Sequence, residues 1–241
     1  MKYLFIVILA VMLCSISCKL GKKPQRPNSV ESYGNRQSIL LQNQLEGNVN
    51  LDTLFMGERL FALGPVAGLR GEVTVYDDVV SIATVKKGMP HVSSLKETEA
   101  IFLIKSNEND WVGHTIEKPL SSLDAVEQHV KALLISKDRD TALATPFRIE
   151  TKVKHMVYHI IYKQDTVPHN KKEHQKAKVK FELKDTEVNI IGFWVDKARE
   201  GKLTHPGKRT HLHFMTKNNE TSGHIDEISI PTNAKIYFPS Q

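Results

Sequence analysis

The sequence predicts an α+β domain built mostly of mixed or antiparallel sheet, with few helices. Three observations carry this. Short β-rich runs recur along the chain, two pairs of them read as hairpins, and only one stretch keeps a sustained helical period. No internal repeat is visible. The 241 residues are 40% hydrophobic and 25% charged, an ordinary soluble globular composition. The formal charge of +6 reflects scattered lysines and does not by itself point to nucleic acid.

The elements follow in chain order. Residues 71–76 (GEVTVY) and 79–85 (VVSIATV) are two strands separated by Asp77-Asp78, a pair that tolerates left-handed backbone and so predicts a tight hairpin. Residues 100–105 (AIFLIK) read as a short buried strand. Residues 121–135 form the predicted helix, because Leu123, Val126, Val130 and Leu133 or Leu134 recur at helical spacing. Ser121 with Asp124 resembles a capping box. Residues 153–162 (VKHMVYHIIY) form a strand of imperfect alternation, and 187–195 (EVNIIGFWV) a buried one. Residues 210–216 (THLHFMT) and 223–230 (GHIDEISI) make the second hairpin. Residues 169–180 are dominated by lysine. They lack arginine and any aromatic stacking platform, which favours a solvated loop over a nucleic-acid or headgroup-binding patch.

The N-terminus reads as an address. After Met1-Lys2, residues 3–14 (YLFIVILAVMLC) are nearly all apolar, too short to span a bilayer but suited to a signal peptide. Ser17-Cys18 resembles a bacterial lipoprotein cleavage site, which implies a signal peptide over 1–17 and lipid on Cys18. An ordinary secretory signal is the alternative. Residues 18–37 then form a basic, breaker-rich tether, and the folded domain runs from 38 to 241. The expected location is the bacterial cell envelope. Cys14 and Cys18 are the only cysteines, so the domain has neither a disulfide nor a thiolate metal site.

The chemistry is carried by histidine. Eight of the eleven histidines lie between His155 and His224. His211 and His213, two apart on a strand, share one face. With Asn218-Asn219 as a two-residue turn, His213 faces His224 across the hairpin. A four-residue turn keeps that face, whereas an odd-sized loop turns His224 away. Three imidazoles with a vacant fourth position describe a catalytic zinc site, and the other reading is an exposed strand that happens to carry histidines. His205 precedes Pro206-Gly207 and reads as a turn residue. His155 and His159 are second-line ligands, more suited to packing or solvent.

These residues resemble a family. Gly192-Phe193-Trp194, His211-Leu212-His213-Phe214 and Ser222-Gly223-His224 resemble the C-terminal signature of bacterial α-acetolactate decarboxylases. So do Phe61-Ala62-Leu63-Gly64 and Gly68-Leu69-Arg70-Gly71-Glu72. The resemblance covers about residues 50–230. It implies the family fold and a zinc-dependent lyase that turns 2-acetolactate, a 2-hydroxy-3-keto acid, into acetoin and carbon dioxide. It implies zinc on His211, His213 and His224, Glu72 as the catalytic proton donor, and a homodimer. Two departures stand out. The best match to the family's Tyr-x-Ile-Arg strand is Tyr158-His159-Ile160-Ile161, with isoleucine in place of arginine. Only Asp226 and Glu227 supply carboxylates after His224. A non-catalytic zinc-binding envelope module and a zinc hydrolase are the rival readings.

Overall fold

The computed structural model describes residues 30–240, apart from Met56 and Asp165. The signal segment, Cys18 and most of the proposed tether therefore lie outside the described residues. The N-terminal half contributes β1 (Glu31–Tyr33), α1 (Arg36–Gln42), β2 (Val49–Asn50), β3 (Leu60–Pro65), β4 (Glu72–Tyr76), β5 (Val79–Lys86), β6 (Met89–Ser93), β7 (Glu99–Ala100) and β8 (Leu103–Asn107). After them come β9 (Trp111–Thr115), α2 (Leu123–Ser136), β10 (Thr145–Ile161), α3 (Lys171–Lys176), β11 (Lys178–Trp194), β12 (Thr210–Thr216), β13 (Ser222–Ser229) and β14 (Lys235–Pro239). The first sheet has the order β1-β8-β3-β4-β5-β6. The second runs β11-β12-β13-β10-β14-β9, and a further β10–β11 pairing closes β10, β11, β12 and β13 into a ring. Every strand pair is antiparallel. No helix among the described residues is long and apolar enough to cross a membrane.

The predicted hairpins form for the predicted reasons. Asp77 and Asp78 both take positive φ, at 58° and 67°, and join β4 to β5. Such a turn matches the twist of the strands it connects. The β12–β13 turn spans residues 217–220, centred on the Asn218-Asn219 step, and pairs His213 with His224. Helix α2 buries Val126, Val130 and Leu134. Its cap is Ser122, whose hydroxyl accepts from Ala125 N–H at 3.1 Å; the capping box expected at Ser121 is displaced by one residue.

Other expectations change. The strand expected over 100–105 is broken: Glu99–Ala100 pairs with β2, the chain bends at Ile101-Phe102, and Leu103 begins β8. Residues 169–180 are not a solvated loop. Asn170 caps α3, accepting from Lys172 N–H and Glu173 N–H, and β11 begins at Lys178. The lysines hid a strand, since Lys178, Lys180, Glu182 and Lys184 alternate with the partly buried Val179, Phe181 and Leu183. Strands β10 and β11 are each 17 residues long, and the sequence pattern revealed only their apolar halves. The uneven alternation of β10 has a local cause. Asp185, on the paired strand, has φ 45°, and the buried set shifts from Ile149 and Val153 to Met156, Tyr158 and Ile160. The fold also starts before the boundary drawn at 38. Val30 is buried and β1 pairs with β8.

Two contacts lock the sheets together beside the site. Thr74 Oγ1 lies 3.2 Å from His213 Nδ1, and Ser81 Oγ lies 2.6 Å from Ser222 Oγ. Strand β4 thus lies against the β12–β13 hairpin. Gly71 permits the close approach of β4 to β5 at this point. It has φ 155°, and a Cβ there would sit 2.3 Å from Ala83 O.

Candidate metal centre and active site

The three predicted ligands converge. His211, His213 and His224 each present a nitrogen, and these atoms lie within 4.8 Å of one another. The ring centroids are 4.9 to 5.3 Å apart. Backbone carbonyls fix two of the rings. His211 Nδ1 donates to Leu203 O at 2.9 Å, and His213 Nδ1 donates to Val73 O at 2.9 Å. A carbonyl only accepts, so in both rings Nδ1 carries the proton and Nε2 presents its lone pair. Both Nε2 atoms, and Nδ1 of His224, are buried without a hydrogen-bond partner. Burial holds all three imidazoles neutral: His211 falls to about 4, and His213 and His224 lie well below the usual histidine value. Unpaired, neutral, converging imidazole nitrogens are the donor set that zinc takes.

Glu72, at the start of β4, points at this cluster. Its Oε2 is 3.8 Å from His213 Nε2, and its Oε1 accepts from Ile161 N–H at 3.2 Å. Burial raises its carboxyl to about 8, against the opposing pull of the Ile161 N–H and Lys178. Burial thus favours the protonated form of this carboxyl. Glu72 is buried, 3% exposed, although it opens a strand.

The structure brings in residues that the sequence ranked second or left aside. His159 is buried and stands opposite His224 in the β10–β13 register. Its Nδ1 is 2.9 Å from Asp226 Oδ1, and its Nε2 is 3.9 Å from Glu72 Oε1. Asp226 sits where the β10–β13 register slips by one residue. This bulge lets Ile225 and Ile228 both enter the core while Asp226 stays at the site. His155 is not part of the site; it is half-exposed and lies 3.7 Å from Glu182. His205 occupies its predicted turn, yet its ring also lines the pocket, 5.6 Å from that of His224. His174 comes from α3 and Arg36 from α1. The signal that could have found His159 was its register against His224, which needs a non-local pairing absent from the local pattern.

The pocket has an accessible volume of about 50 Å³, lined by Arg36, Glu72, His159, Lys178, His211 and His224 among others. That is room for a few waters or a small organic acid, and too little for a nucleotide or a peptide. Phe102 stacks on His211, with ring centroids 6.0 Å apart, and Ile39 and Ile161 add apolar wall.

Fold and pocket define a β-rich protein with a buried centre of three histidines and one carboxyl. The chain belongs to the alpha-acetolactate decarboxylase family, whose pattern matches residues 35–240. Its fold is that of three solved structures. A Staphylococcus aureus protein of unknown function, similar to alpha-acetolactate decarboxylase, superposes with a TM-score of 0.73 at 16% identity, covering 87% of this chain and 84% of its own. The acetolactate decarboxylase of Bacillus subtilis strain 168 gives 0.72 at 16% identity, covering 88% and 85%. That of Bacillus subtilis subspecies spizizenii gives 0.72 at 16%, covering 88% and 86%. No curated protein matches the chain.

Proposed function

We propose that this protein is a zinc-dependent carboxy-lyase acting on a small 2-hydroxy-3-keto acid, with 2-acetolactate as the first candidate. The observation that carries the reading is the convergence of three unpaired imidazole nitrogens beside the buried carboxyl of Glu72. His211, His213 and His224 would hold the metal. When bound, zinc supplies Lewis-acid polarisation of neighbouring hydroxyl and keto oxygens. Glu72 holds a proton on the wall beside the trio, placed to hand it to the carbon that carbon dioxide leaves. The Ile161 N–H orients Glu72 Oε1. The apolar residues Phe102, Ile39 and Ile161 exclude water from that proton and strengthen local electrostatics. The N-terminal address extends the proposal to a lipid anchor on Cys18 and a place in the bacterial cell envelope.

Purified protein loaded with zinc should release acetoin from racemic acetolactate and carry about one zinc per chain. Zinc binding without turnover of any such acid would favour the non-catalytic reading, for which Ile161 in place of the family arginine is the supporting observation.

A further inference from the structure

The pocket holds two cations that the fold does not satisfy. Lys178 begins β11, and its side chain is only 8% exposed. Its nearest carboxylate oxygen is Asp226 Oδ1 at 3.9 Å, beyond hydrogen-bond reach, and that oxygen already faces His159 Nδ1 at 2.9 Å. Lys178 has no hydrogen-bond acceptor among the described residues. The other polar residues on the same face of β11 are solvated: Lys180, Glu182 and Lys184 have side chains 59 to 71% exposed. Burying an ammonium without a close partner is costly, and such groups are rare outside functional sites.

Arg36 reaches the same pocket from α1. Its guanidinium has neither an ion pair nor a side-chain hydrogen bond among the described residues. Burial alone shifts it downward, with no anion pulling the other way. Asp226 is shared with His159, so among the described residues no carboxylate oxygen lies within hydrogen-bond distance of either cation.

The register places this charge. Lys178 pairs directly with Ile161 across β10 and β11, and facing residues of an antiparallel pair project to the same side. Ile161 is an apolar wall residue, and the charge stands on its cross-strand neighbour.

We propose that Lys178 and Arg36 together form the seat for the carboxylate of the ligand, with Lys178 as the main contact. The proposal deepens the lyase reading and rests on it for the kind of acid bound. It makes the ligand a small anion gripped at one end by two cations and at the other by the three-histidine centre.

The test uses 2-hydroxyisobutyrate, which has the carboxylate and hydroxyl but no keto group and cannot follow the lyase route. Its uncharged amide is the control. Calorimetric titration of the zinc-loaded protein should show the acid binding at least about 10-fold tighter than the amide. Lys178→Met should weaken acid binding by about 10- to 100-fold and leave amide binding unchanged; Arg36→Met should do so by a smaller factor. Lys178→Arg should keep most of the preference. Equal acid affinity in wild type and in folded, zinc-loaded Lys178→Met overturns the proposal. Should Lys178→Met fail to fold, Arg36→Met and Lys178→Arg decide in the same way. Charge-dependent acid binding without acetolactate turnover would remove the lyase reading and leave the carboxylate seat standing. Turnover with no acid-over-amide preference would do the reverse.

Discussion

The two walls of the pocket are made differently. The histidine wall is one hairpin, β12–β13, held in a closed ring of strands and tied to β4 by hydrogen bonds from His213. The cationic wall is assembled from the starts of two elements distant in sequence: Arg36 at the start of α1 and Lys178 at the start of β11. The first wall has fixed rings with spare lone pairs, the arrangement for a metal. The second has long side chains without close partners, the arrangement for an anion that arrives and leaves. A small hairpin is enough to set the metal geometry, whereas the substrate side depends on the whole fold.

Removing the histidine wall should have the largest effect. His213→Ala should abolish zinc binding, measured by elemental analysis, and reduce lyase activity to background. Retention of one zinc per chain would separate the trio from the metal. Glu72→Gln keeps the shape of the site but deletes the acid. Turnover should fall by about 10²-fold with zinc content unchanged. An unaltered rate would take Glu72 out of the chemistry.

Acid should also act through the buried histidines around the pocket. His211, His213, His224, His205 and His174 are all held below their ordinary value by burial. The unfolded chain therefore takes up protons that the folded chain refuses, and stability drops as pH falls through the unfolded value near 6.5. Each such imidazole should cost about 1 kcal/mol between pH 7 and 5.5. Glu72 works in the opposite sense, because its raised carboxyl keeps its proton in the folded state there. Several histidines outweigh one carboxyl. Urea unfolding of the metal-free protein should give a lower midpoint at pH 5.5 than at pH 7; a flat profile would place these rings in water.

The smallest effect sharpens the second wall. Lys171 and Lys172 belong to the same lysine-rich stretch as Lys178 but are exposed on α3. Changing either to alanine should move stability by less than about 0.5 kcal/mol and leave acid binding unchanged. A large effect there would mean that the stretch acts as a general basic patch.

How much was legible in the sequence follows the same division. The trio could be read because strand period and turn parity are local rules, and residues 217–220 obeyed them. The Asp77-Asp78 turn and α2 were legible for the same reason. Lys178 was hidden because a lysine-rich alternation looks like solvent from both sides, and only the β10 register shows that one end of it enters the core. His159 was ranked only second because its place depends on the pairing with β13, and Asp226 was hidden by a bulge that no local pattern marks. Glu72 was placed by resemblance alone. Its burial follows from Gly71 and from the sheet that covers it.

The place where the fold begins has a practical consequence. Val30 is buried, β1 pairs with β8, and Glu31 reaches Lys105 at 3.1 Å before Asn35 caps the helix that carries Arg36. A soluble fragment for biochemistry should therefore start before residue 30. A fragment starting at 38 would leave the β8 edge bare and would lose the guanidinium, so it could purify as a zinc protein while misreporting the affinity for acids.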